Sequence, residues 1–208
     1  MKEWQIKHRQ VIGEFLPFLN EHSDKYILKG GTALYLCYKL DRFSEDIDLD
    51  GNEKGISEIV EKYCEKEGYT YTIKKNTTFG ERYMVDYGNQ DHPLKIEVSY
   101  RIRDRQQDTQ IYINGILTYD INTLCFKKVA AYNGRDKIRD LYDIIFIFKN
   151  YCDELSTFAL ENLIDAIEHK GLDYCDYIIK TQADPLIDTN RLMNDFLDMY
   201  EKMGLYVE

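Results

Sequence analysis

The chain has no long apolar run. Its most apolar stretch, residues 141–148, is far short of the roughly 20 residues that a bilayer-crossing helix needs. The first ten residues are charged and lack the apolar segment of a secretory signal, so a cytoplasmic location with no membrane partner is expected. Clustered metal ligands are missing too. The five cysteines (Cys37, Cys64, Cys125, Cys152, Cys175) are never closer than 23 positions, and the four histidines (His8, His22, His92, His169) are equally dispersed. No pair has zinc-knuckle or redox spacing, which argues against a zinc site and for reduced, mostly buried thiols. Basic charge is in deficit, with 27 Lys and Arg against 37 Asp and Glu and a net charge of -10, which excludes a uniformly basic nucleic-acid binder. There is no repeat and no low-complexity linker. The 208 residues therefore suit one large domain or two tightly packed lobes with a real core.

What is present is unevenly spread. Residues 1–94 carry 13 basic and 17 acidic side chains, residues 95–150 carry 10 and 7, and residues 151–208 carry 4 and 13. A local basic site in the middle is allowed; the acidic last third suits a solvated helical face or a surface for a basic partner. Residues 4–22 have helical apolar period, with Pro17 a candidate kink. A short strand at 26–28 stops at Gly30-Gly31, a helix follows over 32–40, and Asp46–Asp50 alternates acid and aliphatic residues as a strand does. Residues 56–67 read as a helix, 69–73, 82–87 and 94–100 as strands, and 111–119 as a hairpin turning at Asn114-Gly115. From Asn122 onward the pattern is helical, with breaks expected at Gly134, Asn150, Gly171 and Pro185. The order predicts an α+β fold with a mixed or antiparallel sheet: an α/β lobe over 1–120 and a helical lobe over 121–208.

The chemistry concentrates in Lys29-Gly30-Gly31-Thr32-Ala33-Leu34 and Arg42-Phe43-Ser44-Glu45-Asp46-Ile47-Asp48-Leu49. Glycines between a strand and a helix let backbone approach a phosphate, and the helix N-terminus offers unpaired N–H groups with a positive dipole end. Thr32 can add a hydroxyl. Asp46 and Asp48 project from one side of a strand, while Ile47 and Leu49 face the core. Two carboxylates so close repel unless a cation bridges them, and Mg2+ (with Mn2+ as the alternative) takes such oxygen ligands together with substrate phosphates. A third acid would complete a two-metal arrangement. Glu97, again an acid between aliphatics, is the first candidate and Asp86 the second. Taken alone, the Asp-Ile-Asp run would favour an edge strand that merely solvates itself; the Gly-Gly-Thr element upstream turns the reading toward catalysis.

These two elements resemble the signature of the DNA polymerase β nucleotidyltransferase superfamily. More narrowly, they resemble the AbiEii/AbiGii toxin family of bacterial toxin–antitoxin and phage-defence systems. The resemblance spans roughly residues 25–150 and includes a second block, Lys128-Val129-Ala130-Ala131-Tyr132-Asn133-Gly134-Arg135 and then Arg139-Asp140-Leu141-Tyr142-Asp143. It implies a nucleotidyltransferase-type fold that moves a nucleoside monophosphate from an NTP to a tRNA-like RNA or a protein hydroxyl, and a cognate antitoxin. Asp46, Asp48, Lys128 and Asp140 would be catalytic. Gly30, Gly31, Thr32, Arg42, Ser44, Lys128 and Arg135 would handle the nucleotide, and Asp46, Asp48 and Glu97 the metal. On a continuous helix Lys128, Arg135 and Arg139 would form one cationic stripe, though Gly134 is placed to end that helix. Asp140 and Asp143 could orient these cations or assist proton transfer; the alternative for Arg139 and Asp143, less favoured than a functional role, is a set of interhelical salt bridges. Arg42 either braces the carboxylates or meets phosphate, and Ser44 either meets the nucleotide or only caps the turn. Arg101, Arg103 and Arg105 either line a strand face near the acceptor or guard an edge. The eighteen tyrosines are too widely spread to be stacking platforms and are expected in or near the core. Two rivals use the same residues: a kinase-like phosphotransferase, and a non-catalytic nucleotide-binding or partner-binding module.

Overall fold

The computed structural model describes residues 2–101 and 108–205. Arg103 and Arg105 lie outside the described residues. The chain divides into two compact units, Met1–Tyr119 and Asp120–Glu208.

The first unit is built on one mixed seven-stranded sheet. In chain order it has α1 (Glu3–His22), β1 (Tyr26–Lys29), α2 (Gly30–Cys37), β2 (Ile47–Gly51), α3 (Ile56–Glu67), β3 (Thr70–Thr77), β4 (Gly80–Asp86), β5 (Leu94–Ser99), β6 (Gln110–Ile113) and β7 (Ile116–Tyr119). The strand order is β3-β4-β5-β2-β1-β7-β6. β1 runs parallel to β7 and β2 parallel to β5; the other neighbours are antiparallel. The expected α+β class with a mixed sheet is what forms. β2 stands inside the sheet, so the Asp-Ile-Asp run is not an edge.

Alternation decides the faces. Ile47, Leu49, Ile96, Val98, Tyr83 and Val85 are all buried on one face, while Asp48, Glu97 and Arg82 between them are only half-buried on the other. α1 runs as one helix through Pro17 and buries Val11, Ile12, Phe15, Leu16 and Leu19. The Phe15 and Tyr63 rings meet edge to face at 5.1 Å, which joins α1 to α3. The β6–β7 hairpin turns at Asn114 (φ 52°) and Gly115 (φ 78°), the two left-handed residues that a type I′ turn demands. Tyr26, Tyr63, Tyr83, Tyr119 and Tyr132 are fully buried, as expected of core rather than stacking residues.

The second unit is helical: α4 (Ile121–Gly134), α5 (Ile138–Tyr151), a single 3-10 turn (Cys152–Glu154), α6 (Thr157–Thr181) and α7 (Thr189–Lys202). Three side chains cap helix starts. Asp120 accepts from Thr123 N, Ser156 from Ala159 N, and Asp188 from Asn190 N and Arg191 N. The expected breaks fall where the chain turns: α4 ends at Gly134, and Gly171 (φ 66°) interrupts α6.

Candidate active site

The Gly-Gly turn is shaped by what lies against it. Gly30 opens α2 with φ +76°, and a β-carbon there would stand 3.2 Å from Asp48 Oδ2. A β-carbon on Gly31 would stand 2.9 Å from both Arg42 Nη2 and Ser44 Oγ. The first glycine thus lets a carboxylate close on the helix start, and the second lets the 42–44 loop pack beneath it. Arg42, Ser44 and Thr32 are buried. The Thr32 hydroxyl donates to the Asp46 carbonyl and is hydrogen-bonded to Ser44 Oγ (2.9 Å). The Thr32 hydroxyl thus holds the entry of β2 against the start of α2.

The same loop is braced from α1. The Glu45 carbonyl can only accept, so His8 Nε2, 2.7 Å away, carries the hydrogen; Nδ1 is hydrogen-bonded to Tyr87 Oη at 2.7 Å. Trp4 and His8 meet the Phe43 ring edge to face at 5.6 and 5.9 Å. Neither Trp4 nor His8 carries a sequence signal for this role, because 37 residues separate His8 from Glu45.

Sheet register aligns the charges. Lys29 pairs with Asp48 across β1–β2, Asp48 with Glu97 across β2–β5, and Glu97 with Arg82 across β5–β4. Direct cross-strand partners share a face, so a row of charges runs cation, acid, acid, cation across four strands. Asp46 joins the row from two residues before Asp48, and Lys95 Nζ lies 2.6 Å from Asp46 Oδ2. Arg82 grips Glu97 with two bonds, Nε to Oε2 and Nη2 to Oε1, each 3.0 Å. Lys29 Nζ turns to Asp50 Oδ1 at 2.5 Å, and Tyr119 Oη donates to Asp50 Oδ2 at 3.0 Å.

These neighbours split the carboxylates. Burial pushes the Asp48 pKa up; Lys95 and Lys29 oppose this, and Asp46 and Glu97 reinforce it by repulsion. Burial also acts to raise Glu97, but the hydrogen bonds and charge of Arg82 outweigh it and leave that carboxyl below its ordinary range. Asp86, the other candidate third acid, accepts from Gly88 N (2.9 Å) and Asn89 N (3.0 Å) and closes the turn after β4. Among the described residues no group of three or more His, Cys, Asp or Glu side chains stands ready to hold a metal ion. The donor chemistry of Asp46 and Asp48 still fits a hard divalent cation, since two adjacent carboxylates with an excess of negative charge are the ligands that Mg2+ takes alongside phosphates.

In the second unit the cations are also paired. Lys128 is buried and ion-paired with Asp143, with Asp140 Oδ1 at 3.8 Å. Arg135 grips Asp140 through Nε (2.6 Å) and Nη2 (3.0 Å), and Arg139 Nε lies 2.5 Å from Asp184 Oδ2. The continuous cationic stripe does not form. α4 stops at Gly134, Arg135 is extended (φ -158°), and α5 begins at Ile138, so the helical spacing between Lys128 and Arg139 is lost. Gln182 fastens the link: its Oε1 accepts from Ile138 N and its Nε2 donates to the Asp136 carbonyl.

A family model described as nucleotidyl transferase AbiEii toxin, Type IV toxin–antitoxin system, matches residues 18–205. The chain belongs to the AbiEii nucleotidyltransferase toxin family. The match takes in the acidic last third, where the motifs at 25–150 had stopped. Among solved structures, a putative nucleotidyltransferase from Helicobacter pylori is similar at 27% identity and TM-score 0.80, covering 99% of this chain and 97% of that one. JHP933 from Helicobacter pylori is similar at 27% identity and TM-score 0.79, covering 99% and 94%. No curated protein matches. Among the described residues of this AbiEii protein, no helix is long and apolar enough to cross a membrane. As a member of a nucleotidyltransferase family, the protein is an enzyme acting on a nucleotide substrate, and its toxin–antitoxin class implies an antitoxin partner.

Proposed function

We propose that this AbiEii toxin transfers a nucleoside monophosphate from an NTP to a hydroxyl of a tRNA-like RNA or a protein, with Mg2+ held by Asp46 and Asp48. The acceptor oxygen bonds to the α-phosphorus, the bond from that phosphorus to the β-bridging oxygen breaks, and pyrophosphate leaves. The acceptor supplies its own nucleophile, so the chain's work is positioning and charge compensation. Mg2+ would supply Lewis-acid stabilisation of the phosphate oxygens.

The observation that carries this reading is Asp48 Oδ2 closing on the Gly30 turn where α2 begins. A phosphate received by the first N–H groups of α2 stands beside the acid that holds its cation. Gly30 and Gly31 keep that approach open, Thr32 and Ser44 fix the start of β2, and Arg42 packs under the turn. Glu97, oriented by Arg82, is the third acid of the row. In the second unit Lys128, with Arg135 and Asp140 around it, is the proposed contribution to phosphate charge. The action is cytoplasmic and is restrained by a cognate antitoxin, as in phage-defence systems.

The test is incubation with each α-labelled NTP, Mg2+ and total cellular RNA, beside an Asp46→Ala/Asp48→Ala control. Label entering RNA or co-purified protein only with the intact chain supports the reading and names nucleotide and acceptor. Transfer from γ-labelled ATP instead would make the enzyme a phosphotransferase. Absence of any label would sink both.

A further inference from the structure

We propose that the Lys95 ammonium is the resident counter-cation of the acidic row, and that a divalent ion enters by displacing it from Asp46. This rests on the proposed metal role of Asp46 and Asp48. Asp48 and Glu97 are direct partners across β2 and β5, and Asp46, just before β2, brings a third carboxylate that Lys95 reaches. Of the cations around them, Lys29 is drawn to Asp50 and Arg82 has both its bonds on Glu97. Lys95 lies two residues before Glu97 on the same face of β5 and ends 2.6 Å from Asp46 Oδ2. Its charge is also felt by Asp48 and Glu97, so it serves the whole row.

Charge counting shows why this arrangement is provisional. With Arg82 neutralising Glu97, the two aspartates carry two negative charges against the single charge of Lys95. A divalent ion in its place balances Asp46 and Asp48 outright and returns the ammonium to solvent or substrate phosphate. The side chains are suited to the exchange. Lys95 and Asp46 are 28% and 39% exposed, and a lysine is a point charge on a flexible stem rather than a rigid two-bond grip. Arg82 is the opposite case: it fixes Glu97 and would not yield. Lys95 therefore sets how much metal the enzyme needs, by competing for one ligand.

The experiment measures Mn2+ binding without nucleotide, from the electron paramagnetic resonance of free Mn2+, in wild type, Lys95→Met, Lys95→Gln and Asp48→Asn. Losing the competitor should tighten Mn2+ binding in Lys95→Met about two- to fivefold, the scale of removing a partly exposed ion pair. Lys95→Gln gives the same answer if the methionine variant fails to fold. The Mn2+ concentration for half-maximal transfer should fall in parallel. Wild-type binding that is lost in Asp48→Asn but unchanged or weaker in both Lys95 variants overturns this proposal and leaves the metal reading standing. No Asp48-dependent Mn2+ binding in any variant overturns both.

Discussion

At the scale of single residues, the paired acids Asp48 of β2 and Glu97 of β5 have opposite relations to stability, and Gly30 is fixed by the first of them. Gly30→Ala must carry a β-carbon at φ +76° and push against Asp48 Oδ2, at a cost of about 1–2 kcal/mol for the left-handed backbone alone. Thermal melting should record that loss. Transferase activity should fall further, by about 100-fold, because a misplacement near 1 Å is enough to do so. Asp48 is a residue that folding tolerates rather than favours. Its raised pKa means that, between the ordinary carboxyl range and its folded value, the native chain holds more protons than the unfolded one. Stability from this group falls as pH rises through that window. Glu97 has the reverse sign: its contribution is present above the ordinary range and is lost as pH falls through its lowered value. At neutral pH without metal, Asp48→Asn should melt higher by about 2–4 °C, the shift that 1 kcal/mol makes in a chain of this size. Glu97→Gln should melt slightly lower, by less than that, since Arg82 is partly solvated. Equal melting of all three proteins would contradict this division.

At the scale of elements, helix pairing in the second unit depends on a charge taken out of water. Lys128 on α4 and Asp143 on α5 are both buried, with side-chain exposures of 9% and 0%. Asp143→Asn leaves a buried ammonium short of its counter-charge and should cost about 3–5 kcal/mol in urea denaturation. Joint replacement by Lys128→Met/Asp143→Leu should recover most of that stability while leaving transfer abolished. This is also where legibility in the sequence divides. Gly30, Gly31, Asp46 and Asp48 were readable because their chemistry is local: a turn, a helix start and one strand's alternation. Most strands and the Asn114-Gly115 hairpin were readable for the same reason. Lys95 and Arg82 were not, because what makes them partners of Asp46 and Glu97 is strand register. Arg82 and Glu97 are 15 residues apart and meet only once β4 and β5 align. Arg135 misled in the opposite way, since helical spacing was extended through a glycine that ends the helix. His8 was hidden because bracing a loop from α1 leaves no mark on sequence beyond an ordinary helical face.

At the scale of the whole molecule, the net charge of -10 bears on the acceptor. An RNA meeting this chain finds few places to exchange its counterions for Lys or Arg. If RNA is the acceptor, the slope of log affinity against log salt should be no steeper than about -2, that is, one to three phosphate contacts. A filter-binding series from low to physiological salt measures it, and a steep slope would point to a larger basic surface than the 10 basic against 7 acidic side chains of residues 95–150 lead one to expect. The sheet order has a consequence of another kind. β2 is hydrogen-bonded by β1 on one side and β5 on the other, and it is the middle strand of the seven, with three strands on either side. Amide protons on such a strand reach solvent only when the unit opens as a whole, whereas those of the edge strands β3 and β6 escape by local fraying. On a deuterium-exchange clock, therefore, the backbone of Asp48 should be among the last to label, and the enzyme would keep that aspartate in register with Lys29 and Glu97 through every motion short of unfolding.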